Sequence, residues 1–239
     1  MSFEPPQSGA EMALLNYFNL RARRVPAPFP IWLIDVPGQL SSRLLNVLSE
    51  SEHARASRFR TSALRRRYCA AHAGLRLLGE LCLGVAAARQ QYETNGYGKL
   101  QLAGAEPAQC SLSYCGERAL VAWAWGPAIG IDAEVVRPVA HSADLMQFHF
   151  TRHEQQRLRS LEAGRDVLDR SFLTVWVRKE ACLKAIGRGL DVELSSFECG
   201  VDQRNRMVEV GGQRVESKVL QVEEHLLVAW ARCRPDLPA

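Results

Sequence analysis

Hydrophobic and polar positions alternate along the chain in a recurring order of strand, helices and strands. Ile31 to Val36 is a short apolar run ahead of a Pro-Gly turn and predicts a strand. Ser49 to Phe59 has helical character, with Ser49 as N-cap and Glu52 three residues on, the capping-box pattern. Ala63 to Leu83 predicts a longer helix rich in Ala, Leu and Arg, and Gly96 to Lys99 a turn. Ser111 to Cys115 and Arg118 to Trp125 predict two strands joined at Gly116, and Gly126-Pro127 breaks the chain. Beyond the break lie a strand at Ile129 to Val135, helices at about 141–149, 151–162 and 166–186, and alternating strands over about 206–233. Residues 1–30, with Pro5, Pro6, Pro26, Pro28 and Pro30, predict an irregular N-terminal extension. The expected division is therefore 1–30 extension, 31–126 N-terminal subdomain and 127–239 C-terminal subdomain, in an α+β fold. No letter-level repeat relates the halves.

The stretch from Ser171 to Leu190 organises the second half. Phe172, Val175, Trp176, Leu183 and Ile186 recur at helical spacing, and Gly187 follows where a left-handed C-terminal cap is common. Trp176, Glu180, Leu183 and Lys184 fall on one side of that helix. Taken alone, Glu180 and Lys184 read as a surface pair worth about 0.2–0.5 kcal/mol. Upstream, Gly130-Ile131-Asp132-Ala133-Glu134 gives that pair another reading. Strand geometry puts Asp132 and Glu134 on one face, where two carboxylates repel unless something positive sits between them. A hard divalent cation would serve, with Glu180 as a third oxygen donor. Lys184, Lys179, Arg55, Arg58, Arg65, Arg66, Arg67 and the glycine-flanked Lys99 could supply cations for a polyphosphate; singly, each reads as a surface charge.

Composition narrows the class. With 239 residues, 47% hydrophobic and 23% charged, the chain can bury a substantial core. No apolar run spans a membrane and no secretory signal opens the chain, which predicts a cytoplasmic protein without membrane attachment. The seven cysteines show no C-x-x-C spacing, which argues against structural zinc and a disulfide framework. The net charge is +4, and residues 1–126 hold 14 Lys and Arg against 9 Asp and Glu. A basic first half suits an anionic ligand or an acidic partner. No nucleic-acid-binding pattern accompanies it, and such a reading leaves the carboxylates unexplained.

Together, GIDAE and WVRKEACLKAIGRGL resemble the signature of surfactin-type 4′-phosphopantetheinyl transferases, G-[IV]-D-x-E followed some forty residues later by W-x-x-K-E-[AS]-x-x-K. Further similarity lies in Arg55, Arg58-Phe59 and Arg67, in Tyr97-Gly98-Lys99, in Ser111-Leu112-Ser113 and in Phe150-Thr151-x-x-Glu154. The resemblance implies a pseudo-twofold arrangement of two similar α/β subdomains with the active site in the cleft between them. It implies transfer of the phosphopantetheine arm of coenzyme A to a serine of an apo acyl or peptidyl carrier protein, releasing adenosine 3′,5′-bisphosphate. Asp132, Glu134 and Glu180 would hold Mg2+, with Glu180 also the general base and Lys184 acting on the leaving phosphate. Arg55, Arg67, Lys99, Ser113, Tyr114, Lys179 and Lys184 would bind coenzyme A, and Trp176 would pack in the core. The two-half class implies a monomer serving polyketide, nonribosomal peptide or fatty acid synthesis. The chain departs from the family at Tyr114, where histidine is usual, at Cys115, where serine is usual, and at Leu100, where proline is usual. The alternative is a non-catalytic relative that binds coenzyme A or a nucleotide.

Overall fold

The computed structural model describes residues 8–161 and 164–235. The elements run α1 (Ser8–Tyr17), β1 (Arg21–Arg24), β2 (Ile31–Asp35), α2 (Ser42–Leu45), α3 (Glu50–Ser57), α4 (Ser62–Leu83), β3 (Tyr92–Thr94), β4 (Leu100–Leu102), β5 (Ala108–Cys115) and β6 (Arg118–Trp125). They continue with β7 (Ile129–Val135), α5 (Ser142–His149), α6 (Arg152–Arg159), α7 (Arg165–Ile186), β8 (Arg206–Val210), β9 (Gln213–Glu223) and β10 (Leu226–Arg234). The chain is thus mixed α+β, in two units: Met1–Glu93 with Gln101–Gly126, and Thr94–Leu100 with Pro127–Ala239. No helix among the described residues is long and apolar enough to cross a membrane.

The first unit is an antiparallel sheet of order β1-β2-β6-β5 covered by α4. β2 and β6 are buried along almost their whole length, so they read as continuous apolar runs instead of alternating ones. Thr61 caps the start of α4 and Gly84, at φ +69°, ends it in the left-handed conformation. Tyr68 to Gly79 is buried without interruption, which accounts for the Ala, Leu and Gly content there.

The extension expected to be irregular over residues 1–30 is ordered structure from residue 8, and its first seven residues lie outside the described ones. A buried carboxylate explains the miss. Glu11 on α1 accepts from Trp32 Nε1 at 2.9 Å and lies 3.5 Å from Arg24 Nε, whose guanidinium stacks over Trp32. Those partners are remote in sequence, so α1 shows no apolar stripe that periodicity would detect. The charged β1, Arg-Ala-Arg-Arg, is an edge strand of this sheet and pairs with β2, a place where exposed charge is normal.

The second unit repeats the plan. Its sheet has the order β7-β10-β9-β8, and α7 packs across β7, β10 and β9. In the first unit β2 pairs with the last strand, β6, which pairs with β5; in the second β7 pairs with the last strand, β10, which pairs with β9; a long helix covers each sheet. A further parallel lies below the helices. Ser49 and Glu52 form a capping box on α3, and Thr151 and Glu154 form one on α6. Each glutamate then meets a buried cation on the long helix: Arg76 Nε at 2.8 Å from Glu52, and Lys179 Nζ at 2.9 Å from Glu154.

Burial alone would raise the pKa of Glu52. Hydrogen bonds from His72 and from the Ser49 backbone, with the Arg76 charge, outweigh it and hold the carboxyl at about 2 against an ordinary 4.5. A depressed carboxylate contributes stability that is complete above pH 4.5 and lost as the pH falls towards 2. Glu52→Gln should cost about 3 kcal/mol at neutral pH. Urea unfolding at pH 7 and pH 3 checks this: the variant's deficit should shrink at the lower pH.

Candidate active site

Gly130 decides how the second unit's site is built. A Cβ at this position would stand 2.1 Å from the Ala181 carbonyl oxygen and 2.3 Å from the Ala185 nitrogen. β7 therefore lies directly on the backbone of α7, a contact that any side chain would prevent. Strand alternation puts Asp132 and Glu134 on the same face as Gly130. On α7, Trp176, Glu180 and Lys184 are half-buried within a largely buried stretch, so four-residue spacing leaves them as one open stripe. The close approach brings the two motifs together: Lys184 Nζ donates to Asp132 Oδ1 at 2.7 Å.

The electrostatics tie the carboxylates to one another. Burial raises the Glu180 carboxyl above the usual range, the Asp132 and Glu134 charges raise it further, and Lys184 partly offsets them. Glu134 is also raised, first by burial and then by Asp132, against Arg137 and Lys184. Arg137 Nη2 lies 3.4 Å from Glu134 Oε2. Among the described residues no three His, Cys, Asp or Glu side chains form a ready-made metal cage. The donor set still fits a hard cation: all three groups are oxygen ligands, and their repulsion is what a cation would relieve. Mg2+ needs only one or two carboxylates when phosphate oxygens complete its shell.

Other expected site residues fall elsewhere. Lys179 is fully buried; beyond Glu154, it donates to the carbonyls of Leu194 at 2.7 Å and Phe197 at 2.5 Å. This corrects its assignment to coenzyme A binding: its ammonium is saturated inside the core, and the Phe-Thr-x-x-Glu motif serves the same buried pair. Lys99 Nζ donates to the carbonyls of Ala185 at 2.8 Å and Ile129 at 3.2 Å. It caps the C-terminus of α7, where a cation is favourable, beside Asn95, whose Nδ2 donates to the Gly187 carbonyl at 2.8 Å. Trp176 stacks on Phe172, as core packing requires.

In the first unit, Arg55 is exposed on α3 with its guanidinium 6.0 Å from the Tyr68 ring centre, and Arg67 is half-buried 5.7 Å from that of Tyr114. Ser113 is buried and Tyr114 is 37% exposed. Sequence reasoning missed His72, whose Nδ1 lies 3.0 Å from Glu52 and whose Nε2 lies 3.1 Å from the Tyr114 hydroxyl. Its signal was a polar ring inside an Ala-rich helix, one turn from both Tyr68 and Arg76.

A profile of the 4′-phosphopantetheinyl transferase superfamily matches residues 128–229, which include β7 and α7. The chain is 33% identical to the 4′-phosphopantetheinyl transferase HetI of Nostoc over 166 residues, 67% of this chain and 69% of that one. It is 26% identical to Sfp, a 4′-phosphopantetheinyl transferase of Bacillus subtilis, over 206 residues, 80% of this chain and 90% of that one. A putative 4′-phosphopantetheinyl transferase of Synechocystis is 28% identical over 168 residues, 70% of this chain and 67% of its own. The chain belongs to the 4′-phosphopantetheinyl transferase family and is an enzyme of that class.

Gly130→Ala should push α7 off β7, since backbone atoms cannot rotate away. A displacement near 1 Å costs about 100-fold in turnover, and crystallography of the variant would show the helix moved. Glu180→Gln should act oppositely on stability. A carboxyl raised above 4.5 holds its proton more tightly when folded, so stability falls as pH rises through that range and the ionised group is a net cost at neutral pH. In the absence of divalent cations the variant should melt on the order of 2 °C higher at pH 7 while losing activity. An unchanged or lower Tm would show that the carboxylates do not strain one another.

Proposed function

We propose that this enzyme is of the surfactin type and transfers the phosphopantetheine arm of coenzyme A to a serine hydroxyl of an apo acyl or peptidyl carrier protein. Adenosine 3′,5′-bisphosphate leaves, and Mg2+ is required. The observation that carries this reading is the meeting of Asp132 and Glu134 on β7 with Lys184, and electrostatically with Glu180, on α7. Asp132, Glu134 and Glu180 would hold the Mg2+, which when bound supplies charge neutralisation at the pyrophosphate.

The residues divide the remaining work. Glu180, made more basic by burial and by its neighbours' charges, takes the serine proton directly or through a water it holds. The serine oxygen bonds to the phosphorus that carries the pantetheine arm as the bond from that phosphorus to the bridging oxygen breaks. That oxygen departs with the adenosine bisphosphate. Lys184 stands within reach of Asp132 and turns its ammonium to the leaving phosphate, balancing the charge that develops there. Arg55, Arg67 and Tyr114 receive a phosphate of coenzyme A. Lys99 works at one remove, by fixing the end of the helix that carries Glu180 and Lys184.

The natural acceptors in this reading are carrier domains of polyketide, nonribosomal peptide or fatty acid synthases. The chain acts as a monomer in the cytoplasm.

Intact mass spectrometry of an apo carrier protein incubated with the enzyme, coenzyme A and Mg2+ tests the reading. The carrier should gain roughly 340 Da, one phosphopantetheine, and the gain should vanish with chelator and in Glu180→Ala. No gain on several unrelated carriers, with coenzyme A still bound, would favour a non-catalytic relative.

A further inference from the structure

A chain of hydrogen bonds in the first unit ends at the surface on Tyr114, and its buried members Glu52, His72 and Arg76 have no part in the mechanism above. Glu52 Oε2 accepts from Arg76 Nε at 2.8 Å and from the Ser49 nitrogen at 2.8 Å. Glu52 Oε1 lies 3.0 Å from His72 Nδ1, and His72 Nε2 lies 3.1 Å from the Tyr114 oxygen. Arg76 also donates to the carbonyls of Ala87 and Gln90, at 2.9 and 2.8 Å, so the inner end of the chain is fixed. The outer end carries Tyr114, 37% exposed, with Arg67 beside its ring.

The protons in this chain can be placed. Glu52 is ionised throughout the neutral range, because its carboxyl is held at about 2. An ionised carboxylate only accepts, so His72 Nδ1 carries a hydrogen. A neutral His72 then presents Nε2 as an acceptor, and the single Tyr114 hydroxyl proton is committed to it. In that state Tyr114 offers an incoming anion only lone pairs. Turning its proton outward would strand the buried Nε2, at a cost of about 1–3 kcal/mol. One proton reverses the polarity: the imidazolium donates from Nε2 to the tyrosine oxygen, and the hydroxyl proton turns outward.

We propose that Tyr114 and His72 form a proton-coupled anion site, in which binding of a phosphomonoester dianion beside Arg67 draws one proton onto His72 and turns Tyr114 from acceptor to donor. The family's usual histidine is replaced by a tyrosine here, and the charge sits one residue behind it. This rests on the transferase reading for its natural ligand, the 3′-phosphate of coenzyme A; free phosphate offers the same chemistry.

The titratable and charged groups around His72 come from α3, α4 and β5. From α3 come Glu52 and Arg55, which lies over the Tyr68 ring. From α4 come Arg76, Cys69, Arg67 and Tyr68, whose ring centre is 4.1 Å from that of His72. From β5 comes Tyr114. Burial raises the tyrosines, Tyr68 to about 12, and also raises the Cys69 thiol, so each stays protonated.

Calorimetric titration with coenzyme A and with dephospho-coenzyme A, with Mg2+ present, tests the site between pH 7 and 9. This window lies above the second phosphate ionisation near 6. Two buffers of different ionisation enthalpy give the protons taken up. The wild type should take up close to one proton with coenzyme A and none with dephospho-coenzyme A. Its preference for coenzyme A should fall about tenfold or more across the window. His72→Gln, which keeps a hydrogen-bonding side chain, and Tyr114→Phe should both lose the proton uptake and the pH slope while melting cooperatively. A merely structural role for His72 would leave both readouts as in wild type, and that result overturns the proposal. Proton uptake with inorganic phosphate alone, beside a flat coenzyme A preference, would uphold the switch and assign the site to free phosphate. A wild type that binds neither coenzyme A compound would refute the transferase reading, leaving the inorganic phosphate arm to decide the switch: phosphate bound without proton uptake, or not bound, overturns it.

Discussion

A strand and a helix can touch backbone to backbone only where a side chain is missing, and Gly130 supplies that gap. The second unit's chemistry depends on it. With β7 pressed onto α7 at Ala181 and Ala185, Asp132 comes level with Lys184, and the charges of Asp132 and Glu134 act with burial to raise the Glu180 carboxyl. Much of the surrounding structure keeps this contact in place. Lys99 and Asn95 satisfy carbonyls at the C-terminus of α7, and Lys179 with Glu154 fixes its buried side. Lysines that look like ligand cations in the sequence thus hold the helix that carries Glu180 and Lys184.

The two units solve one structural problem with the same parts and then diverge. Each anchors its long helix through a capping-box glutamate paired with a buried cation. In the second unit that pair is sealed, with the lysine spending its donors on Glu154 and two carbonyls. In the first, Glu52 has an oxygen left for His72, which carries the network on to Tyr114 at the surface. A stabilising pair in one unit is therefore the base of a candidate functional chain in the other.

Most of the architecture was legible from local signals. The Ser49–Glu52 capping box, the left-handed stop at Gly187 and the Gly126-Pro127 break mark boundaries through residues that act on their own backbone. The conjunction of Asp132, Glu134, Glu180 and Lys184 was legible because strand and helix periods fix which side chains share a face. What stayed hidden depends on partners remote in sequence. The first helix is held by Glu11 reaching Trp32, a contact without periodicity. Lys179 looked available because a lysine's burial cannot be read from spacing. His72 was not singled out because Glu52 and Tyr114 meet it from 20 and 42 residues away.

The central claim is that the carboxylates of β7 and α7 bind the pyrophosphate of coenzyme A through a divalent cation. Calorimetric titration of coenzyme A into the enzyme, with Mg2+ and then with excess chelator, tests it most directly. Affinity should fall by at least about tenfold without the cation, and Glu134→Gln should abolish most of that difference. Equal affinity in both conditions would contradict the account.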